Sequence, residues 1–148
     1  MSFNFMKKIL IIGLPGSGKT TLAKNLSKKL NCDWINADKI RKKFKDWDFS
    51  KAGTLRQAKR MRSLANKSKK KFVVVDFVCP YNEGRKIFNP DYLIWMNTIK
   101  KGRLPTFDKT FQKPKKFDLC IKEKNSKFWS IKISDKIKKL GYKPKSKK

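Results

Sequence analysis

The stretch KILIIGLPGSGKTTLAKNLSKKL, residues 8–30, combines an apolar run, a glycine-rich turn and a helical repeat. Four consecutive aliphatic residues at positions 9–12 predict a buried strand. After the turn, Leu22, Leu26 and Leu30 recur at the spacing of one helix face, with lysines between them. The stretch therefore predicts a strand, a tight turn and an amphipathic helix in that order.

The turn within this stretch matches G-x-x-x-x-G-K-[ST] through Gly13, Gly18, Lys19 and Thr20. Backbone N–H groups at the start of a helix lack intrahelical partners and point at a bound anion, which the helix dipole also attracts. In such a loop the lysine reaches the β- and γ-phosphates of a nucleotide, and the hydroxyl binds Mg²⁺. A glycine-rich turn can match by chance, but the flanking strand and helix supply the context that the motif requires. The predicted site for ATP and Mg²⁺ comprises Gly13, Pro15, Gly16, Ser17, Gly18, Lys19, Thr20 and Thr21.

Length and composition favour one globular domain, residues 1–142, followed by a basic disordered tail at 143–148. The 148 residues are 39% hydrophobic, and no apolar run approaches the roughly 20 residues of a membrane span. Three well-separated cysteines suggest neither a disulfide framework nor a thiolate zinc site, so we expect a cytoplasmic protein. Because the chain has no histidine, a general base would have to be a carboxylate.

The charge is unusually positive. Forty Lys and Arg against eleven Asp and Glu give +29, and removing the four lysines of residues 143–148 still leaves +25. A field of this sign attracts polyanions, with an effect that weakens as salt rises. The alternative is a lysine-rich composition whose charges are only solvated, although such a bias usually enriches glutamate as well and the chain has two.

The rest of the chain alternates between strand and helix patterns. We predict strands at 33–36, 72–78, 92–96 and 117–121, and helices at 37–45 and 54–68. A turn region at 46–53, a turn at 79–84 and a polar basic stretch at 97–116 lie between these elements. Trp129, Ile133, Ile137 and Leu140 mark a last helix. The inner face of the 54–68 helix would hold Leu55, Ala58, Met61 and Ala65. This alternation predicts a three-layer α/β fold with a mostly parallel sheet and its ligand at the carboxyl ends of the strands.

Asp38 and Arg41 follow the second predicted strand at a spacing that places both on one helix face. Beside a phosphate-binding loop, the carboxylate can accept the proton of an attacking hydroxyl and the guanidinium can bind an anionic acceptor. A helix-start aspartate in an exposed salt bridge is the alternative. We interpret the pair as part of the acceptor site.

Asp76 interrupts the apolar run VVVDFVCP. A buried carboxylate needs a cation, hydrogen-bond donors or a metal, because leaving it unpaired costs several kcal/mol. Thr20 and Asp76 are therefore the predicted metal ligands. An aspartate at the exposed end of a strand would explain the same pattern.

Further cations and aromatic rings follow Asp76. Arg85 lies beyond the turn at 79–84, and Arg103 lies in the polar stretch, where a mobile segment can close over the nucleotide and stabilise charge on the transferred phosphoryl group. Phe49, Phe107 and Phe111 are candidates for contacts with a nucleobase, although aromatic residues more often fill a core.

The order of these motifs resembles the adenylylsulfate (APS) kinase family of P-loop kinases. The resemblance rests on GLPGSGKTTLA at 13–23, INADKIR at 35–41, DFS at 48–50 before a basic helix, and VVVDFVCPYNEGR at 73–85, and it runs across roughly the first 90 residues. It implies ATP- and Mg²⁺-dependent phosphorylation of the 3′-hydroxyl of APS, a step of sulfate assimilation.

The same resemblance assigns roles to further residues. It implies Asp38 and Arg41 at the acceptor site, Phe49 near the adenine of APS, and Pro80 and Tyr81 at its sulfate end. The segment FDKTFQKP at 107–114, with Lys109 and Phe111, resembles a remnant of the family's later nucleotide-contacting loop. Two features depart from the family: the R-D-x-K-G-L-Y lid signature is missing after Tyr92, and Asp76 replaces a small or apolar residue.

The kinase domain of phage-type polynucleotide kinases offers a second resemblance. Its pattern of G-x-P-G-S-G-K, then N-x-D-x-x-R, then a strand-ending aspartate with an arginine beyond it is met by Asn36, Asp38, Arg41, Asp76 and Arg85. This resemblance implies a hydroxyl of DNA, RNA or a modified base as acceptor, and it accounts for the charge. A nucleotide- or nucleic-acid-binding module without catalysis is the third hypothesis.

Overall fold

The computed structural model describes residues 6–142, and the tail predicted at 143–148 lies outside them. The elements, in chain order, are β1 (Lys7–Ile12), α1 (Lys19–Leu30), β2 (Asp33–Asn36), α2 (Ala37–Phe44), α3 (Lys51–Asn66), β3 (Phe72–Asp76), α4 (Asn82–Phe88), β4 (Tyr92–Met96), α5 (Pro105–Thr110), β5 (Leu119–Ile121) and α6 (Ser126–Tyr142). Strands and helices alternate, as the sequence predicts.

The five strands form one sheet in the order β2-β3-β1-β4-β5, and every pair is parallel. Each parallel neighbour requires a crossover connection, and the helices provide it on both faces. One face of the sheet packs Ile9 and Ile11 against α1 and α6, and the other packs Leu10 and Ile12 against α3 and α4. This confirms the predicted three-layer α/β fold.

The topology brings the ends of β1, β2 and β3 together at one edge of the sheet. Strand β3 lies between β1 and β2, with Asp76 in register with Ile11 on one side and Asn36 on the other. All five residues of β3 are buried. The loops that follow these three strands therefore share one crevice, which is where open parallel sheets bind ligands.

Most predicted boundaries agree with the structure within one or two residues, and β2 and β4 match at both ends. The helix predicted from 54 begins at Lys51, because the hydroxyl of Ser50 accepts a hydrogen bond from Gly53 N at 3.2 Å and caps it. The strand predicted at 72–78 ends at Asp76, where its neighbour β2 also ends. Strand β5 is shorter than the predicted 117–121.

The structure corrects one prediction and adds detail to two others. The turn predicted at 79–84 was wrong after Tyr81, because residues 82–88 form α4, in which Gly84 faces Ala58 of α3. The polar stretch 97–116 contains the short helix α5. Leu140, one of the residues that marked the last helix in the sequence, is 51% exposed, and the buried stripe of α6 ends at Ile137. Among residues 6–142, no helix has the length and apolar character needed to span a membrane.

Candidate active site

The glycine-rich loop between β1 and α1 leaves the positive end of the α1 helix dipole free of a capping side chain or an acidic residue. Gly18 caps the helix in the left-handed conformation, with φ of 101°, and no side chain hydrogen-bonds to the cap. The first turn contains no acidic residue, and the hydrogen bond from Leu22 N to Gly18 O, at 3.1 Å, is the first of the helix. The N–H groups of residues 19–21 therefore remain to bind an anion, which the helix dipole favours.

Gly13 is required at the other end of this loop. A Cβ atom there would lie 2.8 Å from Met96 O and 2.7 Å from Ser17 Oγ. The loop can therefore pass between β1 and the end of β4 only without a side chain at this position. Ser17 packs behind the loop and is fully buried.

Lys19 is buried at the start of α1, with Nζ donating to Leu14 O at 3.1 Å. Burial lowers the pKa of Lys19 to about 8, and Asp76 and Asp38 oppose the shift. The ammonium group thus lies within the loop, near two carboxylates and away from bulk water. A ligand that brings negative charge to the loop would stabilise its protonated form.

Asp76 is 2% exposed at the end of β3. It is therefore a buried carboxylate and not an aspartate at the exposed end of a strand. Its carboxylate accepts a hydrogen bond from Trp34 Nε1 at 2.6 Å and another from Asn36 Nδ2 at 3.1 Å. Burial raises the pKa of Asp76, while Trp34, Lys19 and Asn36 oppose the shift. The carboxylate is therefore fixed in orientation by donors on β2.

Asn36 links this carboxylate to Thr20. Its Nδ2 lies 3.4 Å from Thr20 Oγ1 as well as 3.1 Å from Asp76 Oδ1, so one amide contacts both predicted metal ligands. Asn36 Oδ1 also accepts from Lys39 N at 3.1 Å and caps α2. One side chain thus positions the hydroxyl, the carboxylate and the helix that carries Asp38.

Asp38 and Arg41 lie one turn apart on α2, and both line the cavity at the end of the sheet. Asp38 is exposed, whereas Arg41 is buried. The Arg41 guanidinium donates to Asp46 O at 2.8 Å and to Asp48 O at 3.3 Å, and it lies 4.6 Å from the ring centre of Phe49. Burial lowers the pKa of Arg41, and Asp46 partly opposes the shift.

The loop between α2 and α3 is braced by ion pairs. Asp46 accepts from Arg56 Nε at 2.8 Å and from Arg60 Nη2 at 3.0 Å, and Asp48 accepts from Arg56 Nη2 at 3.1 Å. These contacts anchor both ends of the segment 46–48 to α3. They hold the intervening Trp47 and the adjacent Phe49 at the cavity.

A single cavity of about 750 Å³ connects these groups. Of the residues predicted from the sequence, its wall includes Pro15, Gly16, Gly18, Lys19, Thr20, Thr21, Asp38, Arg41, Phe49, Asp76, Pro80 and Arg103. The volume lies in the range of small-molecule sites in proteins. Lysine, hydroxyl, two carboxylates and guanidinium groups thus line one cavity.

Arg103 reaches this wall from the segment after β4. Its backbone N donates to Pro15 O at 3.3 Å, and Thr98 Oγ1 donates to Ser17 O at 2.6 Å. The exposed Arg103 side chain lies near Gly16, where a Cβ atom would be 3.8 Å from it. The segment is therefore attached to the glycine-rich loop and places a cation over it.

Six predicted site residues lie away from the cavity wall: Gly13, Ser17, Tyr81, Arg85, Lys109 and Phe111. The Arg85 guanidinium is buried and donates to Cys79 O at 3.0 Å and to Asn82 Oδ1 at 2.7 Å, beneath the ring of Phe111. It holds the turn that carries Pro80 to the wall. The catalytic and binding roles assigned to these six residues stay predictions.

Phe107, a candidate for contact with a nucleobase, also lines the wall. Other wall residues were missed in the sequence, among them Trp47, Thr54, Gln57, Leu104 and Lys124. Gln57 and Thr54 come from α3, whose contact with the site follows only from the tertiary packing. Lys124 follows β5, and the rule that ligands bind at the carboxyl ends of parallel strands could have found it.

The residues present fit a nucleotide phosphate with Mg²⁺. Thr20 Oγ1 and the Asp76 carboxylate are oxygen donors, which Mg²⁺ prefers, and they share the Asn36 amide. No cluster of three His, Cys, Asp or Glu side chains suited to a metal occurs within residues 6–142. Mg²⁺ is usually held by one or two protein groups together with phosphates and water.

Comparison with known proteins identifies a matching family model and several solved structures with a similar fold. The family model described as an AAA domain (AAA_33) matches residues 9–86, more than half of the chain. No curated protein matches the sequence.

Among solved structures, the Mycobacterium tuberculosis APS kinase CysC, in complex with AMPPNP and APS, has 19% identity and a TM-score of 0.76 over 89% of this chain and 97% of its own. Shikimate kinase from Acinetobacter baumannii, in complex with shikimate, has 16% identity and a TM-score of 0.63 over 95% and 98%. A gluconokinase from Sinorhizobium meliloti has 11% identity and a TM-score of 0.62 over 93% and 99%. At these identities the likeness is one of fold.

Proposed function

Because the chain belongs to the AAA_33 family of AAA domains and has the fold of P-loop kinases, we propose that it transfers the γ-phosphoryl group of ATP to a hydroxyl of a second substrate. The observation that carries the proposal is the shared cavity, whose wall contains Lys19, Thr20 and Asp76 together with Asp38 and Arg41. Phosphoryl transfer needs such an arrangement, since its catalysis rests on positioning and on stabilising charge.

On the ATP side, the N–H groups at the start of α1 and the Lys19 ammonium would bind the β- and γ-phosphates. Mg²⁺, when bound, neutralises phosphate charge, and Thr20 and Asp76 would hold it. Arg103 and Lys124, both exposed at the wall, would add positive charge near the phosphates. Removing one such donor typically lowers the rate by a hundredfold or more.

On the acceptor side, Asp38 would accept the proton of the attacking hydroxyl, as no histidine is available. The Arg41 guanidinium would bind an anionic group of the acceptor, and it is already oriented by the carbonyls of Asp46 and Asp48. Arg85 would contribute by fixing the Cys79–Pro80 turn.

The acceptor that this wall suits best is nucleotide-like, as in APS kinases. Phe49 and Phe107 pack edge to face with ring centres 5.3 Å apart, and Arg41 lies on the Phe49 ring. The polar ends of Gln57 are occupied by Ala37 O and Arg60. Rings and a stacked guanidinium suit a planar base better than a polyhydroxylated acid such as shikimate or gluconate, which needs many free hydrogen-bonding groups.

The test is an acceptor panel with γ-labelled ATP that includes APS, shikimate, gluconate and oligonucleotides. We expect Lys19→Ala to abolish transfer. Asp38→Asn should lower kcat by about 10²- to 10⁴-fold and change KM far less, because a general base acts in the transition state. Asp135→Asn, at an exposed acid on α6, is the matched control and should retain activity. Wild-type rates in Lys19→Ala would end the proposal.

A hydroxyl of a nucleic acid is the second candidate acceptor, favoured by the charge of +29. Label transferred to oligonucleotides, with a steep dependence on salt, would support it. Label found in APS alone, with kinetics insensitive to salt, would support the small nucleotide.

A further inference from the structure

We propose that the mouth of the cavity binds single-stranded nucleic acid, with bases stacked on Trp47 and Phe49 and phosphates held by Lys42, Lys43 and Lys45. The end of the strand would then enter the cavity as the phosphoryl acceptor. Only this last step rests on the proposed function, since the binding surface itself requires no catalysis. The juxtaposition of an exposed aromatic series with unpaired lysines carries the inference.

Three aromatic rings run from solvent into the cavity. Trp47 is 53% exposed, an unusual state for a tryptophan, and its ring centre lies 6.4 Å from that of Phe49. Phe49 in turn lies 5.3 Å from Phe107, which is buried in the wall. We call these three residues the aromatic rim. Successive bases of a single strand stack on such series of rings with little dependence on sequence.

The lysines precede Trp47 by two to five residues in the chain, on the last turn and C-cap of α2. Lys42, Lys43 and Lys45 are exposed and form no ion pair among the described residues. The two acids of the following loop, Asp46 and Asp48, are bound by Arg56 and Arg60 and so do not offset these lysines. The field at this side of the mouth is therefore positive.

The cavity wall adds further positive charge. Arg103 and Lys124 are exposed and line the wall, and Lys100 and Lys101 are exposed on the segment that leads to Arg103. Glu123 is the acid next to Lys124, and Asp108 accepts a hydrogen bond from Gly102 N at 2.6 Å. A polyanion at the mouth would therefore meet cations of the wall as well as those of α2.

This combination distinguishes a single strand from other polyanions. A duplex keeps its bases stacked internally and cannot offer them to Trp47, and polyphosphate or an anionic membrane has no bases at all. Charge alone would favour all four ligands, whereas stacking favours one. The dependence of binding on the presence of bases is therefore the property to measure.

The experiment measures fluorescence anisotropy of labelled single strands of about 12 nucleotides, a length within the usual site size, without ATP. DNA and RNA strands are separate arms, and binding of either supports the proposal. Comparison ligands of equal charge are a duplex, an abasic strand and polyphosphate, together with phosphatidylserine vesicles. We expect the base-bearing single strand to bind at least about fivefold more tightly than the abasic one.

Matched variants locate the binding. Trp47→Ala should weaken binding by roughly fivefold to a hundredfold and remove the preference over the abasic strand, and Trp47→Phe should retain most of both. The control is Phe128→Ala, which removes a ring that is 49% exposed on α6, on the other face of the sheet. It should bind as the wild type does.

The lysines are tested with two triple variants that have the same net charge as each other. Lys42→Gln, Lys43→Gln and Lys45→Gln together should reduce the slope of log K against log salt by about 2, at roughly 0.7 for each phosphate contact. The control replaces Lys28, Lys29 and Lys138 by Gln, which are exposed on α1 and α6. It should leave the slope nearly unchanged.

Equal effects of the two triple variants, equal binding of abasic and base-bearing strands, or binding to vesicles alone would overturn the proposal. These failures differ from failure of the proposed function. If the wild-type protein phosphorylates APS but shows any of these results, only the proposed binding surface is ruled out. If it binds single strands as described but transfers phosphate to no acceptor, the binding surface is supported and the proposed kinase function is ruled out.

Discussion

Burial of Lys19 in the fold makes its protonation depend on whether a ligand is bound. Its side chain is withdrawn from water, so burial lowers its pKa to about 8, and the carboxylates of Asp76 and Asp38 prevent a larger shift. Its hydrogen bond to Leu14 O is the contact that the ammonium group makes with the loop itself. Phosphate oxygens at the loop would favour the charged form strongly, which couples nucleotide binding to protonation.

We therefore expect ATP affinity to fall as pH rises through about 8, by up to about tenfold at one unit above that pKa, because the neutral amine must be protonated to bind phosphate. At pH 8.5, titration calorimetry in two buffers of different ionisation enthalpy should detect net proton uptake on binding. ATP itself is then fully deprotonated, so the proton must go to the protein.

Lys19→Arg is the control for this prediction, since a guanidinium stays charged over the same range. It should bind ATP with no proton uptake, whatever its affinity. Uptake of equal size in Lys19→Arg, or none in the wild type, would assign the proton to another group or to none.

At the scale of elements, sequence patterns predicted the parts whose structure is determined locally. The strand β1, the glycine-rich loop and α1 follow from periodicity and from one motif, and the buried strand β3 follows from its continuous apolar run. Helix α4 could not be predicted in this way. A proline just before it and a glycine within it are typical of a turn. The helix packs against α3, where Phe88 and Ala58 belong to one buried cluster, and this contact is a tertiary one.

In the candidate site too, the residues that could be predicted are those whose position depends on local sequence. Groups that sit in motifs or at strand ends, such as Lys19, Asp38 and Asp76, reach the cavity wall. Arg85 does not, because carbonyls of its own turn bind its guanidinium, and this depends on the left-handed conformation of Cys79. Trp47 reaches the mouth through ion pairs between the loop and α3, which no local pattern indicates.

Gly53 connects the α3 helix with that loop. It lies in the first turn of α3, and a Cβ atom there would overlap the Asp48 carbonyl oxygen, which accepts from Arg41. We expect Gly53→Ala to destabilise the protein by about 1 to 3 kcal/mol and lower Tm by several degrees, because the backbone of the loop must move. The displaced loop should also make Trp47 more accessible to acrylamide.

Calorimetry and acrylamide quenching of tryptophan fluorescence measure these two effects. Ser63→Ala, at an exposed position of the same helix, should change stability by no more than about 0.5 kcal/mol. ATP affinity should change little in Gly53→Ala, because α1 lies on the other face of the sheet. Wild-type Tm and quenching in Gly53→Ala would show that the loop tolerates the side chain without moving.

At the scale of the whole molecule, the dominant feature is the net charge of +29, most of which is not compensated by ion pairs with acidic residues. The ion pairs within residues 6–142 join Arg56 and Arg60 to Asp46 and Asp48, and Lys51 to Glu83. Nearly all other lysines face solvent, on both sides of the sheet. Repulsion among them opposes the compact state, so the same charge that would attract a polyanion weakens the fold.

Folding and binding should therefore respond to salt in opposite directions. Raising NaCl from about 0.01 M to about 1 M shortens the screening length from roughly 30 Å to 3 Å, which weakens many repulsions and few attractions. We expect Tm to rise by several degrees over this range, while affinity for single-stranded nucleic acid falls steeply. In a variant carrying Lys28→Glu, Lys29→Glu and Lys138→Glu, which lowers the net charge from +29 to +23, the rise in Tm should be smaller and Tm at low salt higher. A Tm that falls with salt in the wild type, or an equal rise in the variant, would mean that the surface charges are too far apart to oppose folding.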